Sequence, residues 1–237
     1  MKGQLVVVDL YPSLLQPEGD RGNAVVLAHR ARCFGVEATA TVVHPGDPLP
    51  AADIVCLGGS EDADLAVAAD RLGVSGLAGR VADGAVVFGV GAGYALLGRE
   101  LVAPDGTRHE GIGLLDVTMS DTGALVSGPV LTLPAPELGL GSVSGYEYHR
   151  QVAHRGPGAE PWLPLEVGRG DDGFAGSRRQ SVVGCWLHGP VLPRNPDLAD
   201  LLLRWAGVAV DPAGCPEDAI AADVRTRRAA EARAVAR

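Results

Sequence analysis

Apolar runs alternate with helical patterns through the N-terminal half of this chain. Apolar spacing of three and four residues predicts helices over Gly22–Phe34 and, with glycine interruptions, over Asp62–Val81. Strands that alternate with helices are typical of an α/β fold with a mainly parallel sheet. The buried strands of that sheet are predicted from β-branched and apolar runs over Gln4–Leu10, Glu37–Val43, Asp53–Leu57 and Ala85–Val90.

The pattern changes near Val102, where short apolar segments separated by turns begin. These segments predict added antiparallel strands, including Gly145–Tyr148 and Ser181–Leu187. Leu198–Val208 has helical spacing, and the Ala- and Arg-rich residues after Pro216 predict a terminal surface helix. We therefore predict one domain over residues 1–210 and a helical tail over residues 211–237.

The size and charge of the chain exclude some classes of function. Its 237 residues are 46% hydrophobic, which is ample for one large domain with a real core. The formal net charge is -9 and no Lys/Arg cluster stands out, which argues against nucleic acid as a ligand. The N-terminal apolar run is too short to span a membrane and lacks a secretory cleavage pattern, so we expect a cytoplasmic protein with no membrane insertion.

The cysteines and histidines form none of the common metal motifs. The cysteines include no C-x-x-C pair, and no H-x-x-H or H-E-x-x-H pattern occurs. We expect no metal site and no cofactor. In a reducing compartment we predict buried free thiols at Cys33, Cys56, Cys185 and Cys215.

Four motifs, in order along the chain, carry a family resemblance. They lie at Leu10–Pro12 with Gly19–Asn23, at Leu57–Asp62, at Val90–Gly98 and at Trp186–Pro196. Together they resemble the glutamine amidotransferase subunit of the bacterial lipid II isoglutaminyl synthase, in the cobyric-acid-synthase-like group of class I amidotransferases. The resemblance covers nearly the whole chain. It implies a flavodoxin-like fold, a catalytic Cys–His pair, and an ATP-dependent partner related to the Mur ligases that uses ammonia to amidate a carboxylate.

The resemblance also shows what has changed in the site. The family pattern is similar to C-G-G-Y-Q-L-L-G, and here Gly91 stands at the cysteine position and Ala95 at the glutamine. The histidine is matched by His188, and the oxyanion loop by Gly58 and Gly59. Glutamine hydrolysis by this route requires a thiolate nucleophile, which glycine does not supply. We therefore predict that glutaminase activity is absent.

Another residue would have to replace the nucleophile for hydrolysis to survive. Cys185 is near His188 in sequence, but the two-residue period of a strand places them on opposite faces. Cys56 would have to reach across to a neighbouring strand end. Ser60 is nearer the oxyanion loop but has no obvious adjacent base. Loss of activity is the better prediction.

Most of the remaining candidate residues have two interpretations, one structural and one functional. Asp20, Arg21 and Asn23 are either a helix start with a capping side chain or part of a pocket or partner surface. Tyr94 belongs to the nucleophile motif and is a candidate binding residue. His188 either keeps a functional role or is a remnant bonded to a backbone carbonyl.

Polar residues in the C-terminal half have similar alternatives. Glu147 and His149 share one strand face, either as a buried structural network or as an acid/base pair. Arg108 and Arg150 are either solvated or paired with a ligand carboxylate.

Three hypotheses follow for the whole protein. The leading one is a non-hydrolysing subunit that scaffolds or regulates a Mur-ligase-like, amide-forming partner. The second is a repurposed enzyme that uses the old glutamine pocket and His188 on an amino-acid-like or amide substrate. The third is a small-molecule sensor that uses the same cleft.

Overall fold

A computed structural model describes residues 3–15, 19–59, 62–73, 75–102 and 105–236 of the chain. Its strands are β1 (Gln4–Leu10), β2 (Glu37–Val43), β3 (Ile54–Leu57), β4 (Val86–Val90), β5 (Glu100–Val102), β6 (Arg108–Glu110), β7 (Val117–Thr132), β8 (Ser144–Arg155), β9 (Glu160–Val167), β10 (Phe174–Arg179) and β11 (Val182–Cys185). Its helices are α1 (Pro12–Leu15), α2 (Arg21–Cys33), α3 (Asp62–Gly73), α4 (Leu77–Ala82), α5 (Ala92–Leu97), α6 (Val191–Arg194), α7 (Pro196–Trp205) and α8 (Asp218–Val235).

The strands form a mixed sheet whose parallel part carries the site. The order is β2-β1-β3-β4-β11-β10-β9-β7-β5-β6, with β8 paired to β7. The pairs from β2 through β11 are parallel, and β10, β9 and β8 add antiparallel pairs. This is the predicted α/β fold with a parallel sheet, flanking helices and added antiparallel strands.

Apolar residues on the two faces of the parallel strands enter two separate cores. Leu5 and Val7 of β1 join the core under α2 and α7, whereas Val8 and Leu10 join the core under α3 and α5. Strand side chains alternate between faces with a period of two, so a strand with a core on each side is apolar throughout. The side chains of β4 are likewise divided between the two cores, and its one glycine contributes to neither.

Most predicted elements are present, with small shifts at their ends. β1 and β2 have the predicted bounds, and the glycine-interrupted helix is the pair α3 and α4. The apolar residues from Tyr94 to Leu97 predict a helix that starts at Tyr94, but α5 begins two residues earlier, directly after Gly91.

Three sequence predictions in the C-terminal half are corrected. The strands there are not all short, because β7 spans 16 residues and β8 spans 12. β8 extends beyond Gly145–Tyr148 because its buried face continues through polar residues, which hydropathy does not mark. β11 is antiparallel to β10, as expected, but parallel to β4, so it belongs to the main sheet.

One prediction in the N-terminal half is also wrong. Cys33 is exposed, not buried, on the last turn of α2.

The tail forms one long helix that is tied to the rest of the protein. Arg225 and Arg233 of α8 make ion pairs with Asp197 and Glu166, with N–O distances of 2.6 Å in both pairs. Ala229 and Ala232 are buried against Leu131. Among the described residues, no helix is long and apolar enough to cross a bilayer.

Candidate functional site

The candidate site lies at the carboxyl ends of the central parallel strands, where open α/β sheets commonly bind ligands. Gly59 follows β3, Gly91 follows β4, and His188 follows β11. Asp20 precedes α2 and completes the group. The structure therefore brings together four residues that the sequence analysis selected.

Gly91 occupies a sharp turn between a strand and a helix. Its backbone has φ 56° and ψ -116°, a conformation that side chains rarely adopt. Its N–H donates to the carbonyl of Cys185 over 2.9 Å, which fixes the turn against β11. A nucleophile elbow places its residue on a strained strand-to-helix turn of this kind. Gly91 has that turn geometry, but glycine has no side chain to react.

The ring of His188 occupies the place that a side chain at position 91 would take. A Cβ built on Gly91 would lie 2.5 Å from His188 Cε1 and 2.8 Å from Nε2. Both distances are shorter than real Cβ contacts, so any side chain here requires the imidazole to move. His188 is 5% exposed. The histidine therefore packs directly over a glycine that has no group to activate.

Asp20 joins the histidine to the glycine loop. Its carboxylate oxygen Oδ2 accepts a hydrogen bond from the Gly59 N–H over 2.9 Å. The same oxygen lies 3.4 Å from His188 Nδ1, and Asp20 is 2% exposed. An oxyanion hole needs backbone N–H groups directed at the reacting oxygen. In this structure an internal carboxylate uses the Gly59 N–H.

The Asp20–Asn23 motif also holds the loop that carries His188. Asn23 Oδ1 accepts the Leu192 N–H over 3.0 Å, at a buried position. A Cβ on Gly22 would lie 2.5 Å from Pro190 Cγ, so glycine allows the close approach of the two segments. His188 also exchanges backbone hydrogen bonds with Tyr146, at 2.8 and 3.1 Å. The motif thus positions His188 from two sides.

A cavity of about 620 Å³ opens beside His188, within the size range of small-molecule sites. Its described lining comes from β7, β8, the His188 loop and α8: Pro129, Ser144, Gly145, Tyr146, Tyr148, His188, Gly189, Arg194, Arg228, Glu231 and Val235. Burial and the neighbouring charge of Arg228 lower the pKa of the Arg194 guanidinium. The lining also contains a carboxylate, since Glu231 pairs with Arg228 at 2.9 Å. The cavity therefore presents both signs of charge.

The sequence analysis did not select most of this lining. Arg194 lies within the Trp186–Pro196 motif, but nothing in its spacing distinguishes it from a solvated arginine. Arg228 comes from α8, which is distant in sequence, so its place in the cavity depends on the tertiary fold. For Tyr146 and Tyr148, the sequence signal was their two-residue spacing on β8, which places both side chains on the same face of the strand.

Glu147 and His149 lie on the other face of β8. They are 3% and 4% exposed, whereas Tyr146 and Tyr148 are 43% and 51% exposed. Glu147 accepts the N–H groups of Arg169 and Gly170 over 2.8 and 2.9 Å. His149 Nδ1 contacts the carbonyl of Gln151 at 2.7 Å, and its ring stacks on Trp186 at 4.1 Å. The pair forms a buried network outside the described lining of the cavity.

The other predicted binding residues are also placed by the structure. Tyr94 is buried, and its hydroxyl bonds to Ser177 Oγ at 2.6 Å and to Asp171 at 3.1 Å. Arg21 is largely exposed, with its Nε 3.8 Å from Asp9 Oδ2. Arg108 is exposed on β6 and pairs with Glu100 at 2.5 Å. None of the three belongs to the described lining of the cavity.

The alternative nucleophiles are poorly placed. Cys56 and Cys185 are buried in the core under α2. Burial raises the pKa of the Cys185 thiol to about 12, and burial with nearby Asp9 and Asp20 raises that of Cys56 further. A thiol with a raised pKa is protonated at neutral pH and is a weak nucleophile. Ser60 lies outside the described residues.

Comparison with known proteins identifies a family. Residues 34–196 match the CobB/CobQ-like glutamine amidotransferase domain. The GatD subunit of the glutamine-hydrolysing lipid II isoglutaminyl synthase of Staphylococcus aureus is 28% identical over 209 residues, covering 86% of this chain and 84% of that protein. The cobyric acid synthase of Rhodobacter capsulatus is 34% identical over 157 residues, covering 62% of this chain and 31% of that protein.

Solved structures show the same fold. A glutamine amidotransferase crystal structure aligns with a TM-score of 0.59 at 22% identity, over 85% of this chain and 99% of that one. The PurLQS structure from Thermotoga maritima also aligns with a TM-score of 0.59, at 15% identity, over 86% of this chain and 99% of the matched chain.

Proposed function

The chain belongs to the CobB/CobQ-like glutamine amidotransferase domain family, and from this premise we propose that it is a member that has lost glutamine hydrolysis. It acts instead as a subunit or scaffold of a Mur-ligase-like, amide-forming partner. That partner takes free ammonia or another amine as its nitrogen source.

One observation carries the loss of hydrolysis. Gly91 has the backbone of a nucleophile turn, but the His188 ring lies where a side chain would begin. A Cys–His mechanism needs the thiol and the imidazole as separate groups within hydrogen-bonding reach. Glycine supplies no attacking atom, and the packed imidazole leaves no room for one. The buried thiols with raised pKa values do not replace it.

The subunit role rests on the nature of the relatives. The staphylococcal relative is named as a subunit of a synthase, and the similarity covers most of both chains. A pneumococcal protein of the same name is 28% identical over 211 residues. A fold retained along its full length beside a degraded nucleophile position favours a role in assembly over one in hydrolysis.

The cavity favours a second candidate function. Arg194, His188 and the Arg228–Glu231 ion pair line a space of about 620 Å³, and groups of both charges suit an amino-acid-like ligand. A repurposed enzyme would use His188 as its acid or base, held by Asp20 at 3.4 Å. His188→Ala would then abolish a measurable turnover without unfolding the chain. A sensor that uses the same cleft would show ligand-dependent thermal stabilisation without turnover.

Reconstitution tests the subunit proposal. The chain and a Mur-ligase-like enzyme from the same source are purified together, and amide formation is measured with ammonium or with glutamine as nitrogen donor. We expect a stable complex in which the chain increases the ammonium-dependent rate and glutamine gives no product. Amidation driven by glutamine, with no other glutaminase present, would contradict the proposal. Failure of the two proteins to associate would remove the scaffold role.

A further inference from the structure

A cluster of metal-ligating side chains lies where α2 meets the start of α8, away from the cavity. His29 and Cys33 are four residues apart on α2, so they lie on the same helix face. Cys215 and Glu217 come from the segment that leads into α8. The cluster of His29, Cys33 and Glu217 therefore takes its donors from two elements that are distant in sequence.

Two of the donor distances match the edges of a tetrahedral metal site. His29 Nε2 lies 3.4 Å from Glu217 Oε2 and 3.6 Å from Cys33 Sγ. The three donor atoms are all within 4.8 Å of one another. Zinc bonds to N, O and S ligands are about 2.0 to 2.3 Å long, so the edges of a zinc tetrahedron are roughly 3.3–3.8 Å. The two short distances are edges of that size.

Cys215 lies outside this group of three but is a buried thiol, 5% exposed, that interacts with Cys33. The nearby Arg30 cation does not prevent a metal from binding, since Asp200 and Asp218 neutralise it. Arg30 contacts Asp200 at 2.7 Å and forms a second, closer ion pair with Asp218.

A simple ion pair explains the arrangement less completely. The single nitrogen Nε2 of His29 faces both a carboxylate and a thiol, and one ring nitrogen carries either one proton or one lone pair. It cannot make a full hydrogen bond to both partners at once. A cation among the donors would bind all of them.

We propose that His29, Cys33 and Glu217 form a site for a thiophilic divalent cation of the zinc class, with water or the neighbouring Cys215 as the fourth ligand. A thiolate, an imidazole and a carboxylate suit zinc, whereas magnesium and calcium prefer oxygen ligands alone. Such a site would tie α2 to the N-terminal end of α8, whose later residues Arg228 and Glu231 line the cavity. The sequence analysis expected no metal because neither H-x-x-x-C nor C-x-E is a common zinc motif alone.

Cobalt(II) titration of the reduced, full-length chain tests the proposal. We expect one equivalent to bind, with a thiolate-to-cobalt charge-transfer band and the visible bands of a tetrahedral site, both displaced by one equivalent of zinc. Binding should also raise the unfolding temperature, since the metal binds the native state. Absence of the charge-transfer band, or zinc affinity no tighter than that of an exposed histidine, would overturn the proposal.

Variants assign the ligands. Loss of an outer-shell partner costs about 10–100-fold in affinity, so we expect Cys33→Ser and His29→Ala each to weaken zinc binding by at least about 100-fold. His44→Ala, at another exposed histidine, is the matched control and should change nothing. Equal affinity in the chain and in the His29→Ala, Cys33→Ser double variant would contradict the assignment. So would a Cys33–Cys215 disulfide that persists in reductant and leaves no thiols to titrate.

Discussion

At the scale of single residues, the position of the His188 ring depends on the absence of a side chain at Gly91. The turn at Gly91 is strained for any residue with a Cβ, and the imidazole fills the space that a Cβ would need. Backbone strain at a functional position costs about 1–3 kcal/mol and persists where function requires it. Once a nucleophile is no longer required, glycine removes that cost. A glycine at position 91 is therefore what the proposed loss of hydrolysis would leave.

Gly91→Ala should lower the free energy of unfolding by about 1–3 kcal/mol, because it restores the strained backbone and displaces His188. Gly106→Ala is a matched control, with a φ of 84° and nothing within 4 Å of an added Cβ. We expect the control to cost about 1–2 kcal/mol through backbone strain alone. Urea unfolding of both variants measures the difference.

A double-mutant cycle isolates the collision from the strain. In the His188→Ala background the imidazole is gone, so Gly91→Ala should cost less than it does in the parent chain. An interaction free energy of about 0.5–3 kcal/mol is expected for residues in contact. Additive effects would mean that the ring and position 91 do not compete for space.

At the scale of elements, the loop that carries His188 is positioned by two buried amides. Asn195 Nδ2 donates to the carbonyls of Ser144 and Val191, at 2.9 and 2.8 Å. Asn195 Oδ1 accepts the Ser144 N–H at 2.9 Å. Asn23 acts on the other side through its oxygen, which accepts the Leu192 N–H. The start of β8, α6 and α2 are joined through these side chains.

Asn195→Asp should destabilise the fold by about 1–3 kcal/mol, because it removes the side-chain donor to the buried carbonyls of Ser144 and Val191. Asn23→Asp is the matched control, since its carboxylate can still accept the Leu192 N–H. We expect the control to be the more stable variant in thermal and urea unfolding. A smaller loss for Asn195→Asp than for Asn23→Asp would contradict the assigned bonds.

Sequence periodicity predicts the parallel half of the fold well, because every central strand there is apolar on both faces. Periodicity fails where buried positions carry polar residues. The buried face of β8 carries Glu147, His149 and Gln151, so its length is not visible in an apolar pattern. The placing of β11 beside β4 depends on long-range pairing that local pattern does not encode.

The sequence predicts those residues of the candidate site that lie in the family motifs. Asp20, Gly59, Gly91 and His188 lie in motifs, and the structure brings them together. The use of the Gly59 N–H by Asp20 is a side-chain contact between distant segments, and no spacing rule predicts it. The same holds for the cavity contribution of α8, since a helix rich in Ala and Arg reads as solvated surface.

At the scale of the whole molecule, a buried carboxylate makes folding stability depend on pH. Burial alone would raise the pKa of Glu147, but hydrogen bonds from His149 and from the N–H groups of Gly170 and Arg169 outweigh it and lower the pKa. A lowered pKa in the folded state contributes stability above the unfolded pKa of about 4.3. That contribution is lost as the pH falls through the lower, folded value.

Glu147→Gln should therefore be less stable than the parent chain at neutral pH, and the difference should shrink as the pH falls below about 4. The free energy of unfolding in urea at several pH values measures it. Glu137→Gln, at an exposed position, is the control and should track the parent chain throughout. A difference that is constant with pH would show that the Glu147 charge does not carry the stabilisation.

Glutamate release from glutamine tests the central claim most directly. The purified chain is incubated with glutamine alone and with the proposed amide-forming partner, and glutamate and ammonia are measured against a protein-free blank. We predict release no faster than the blank in both cases, because Gly91 supplies no nucleophile and the two nearest thiols are buried and protonated. Release that scales with protein concentration and disappears in His188→Ala would contradict this account and would mean that another residue attacks the amide.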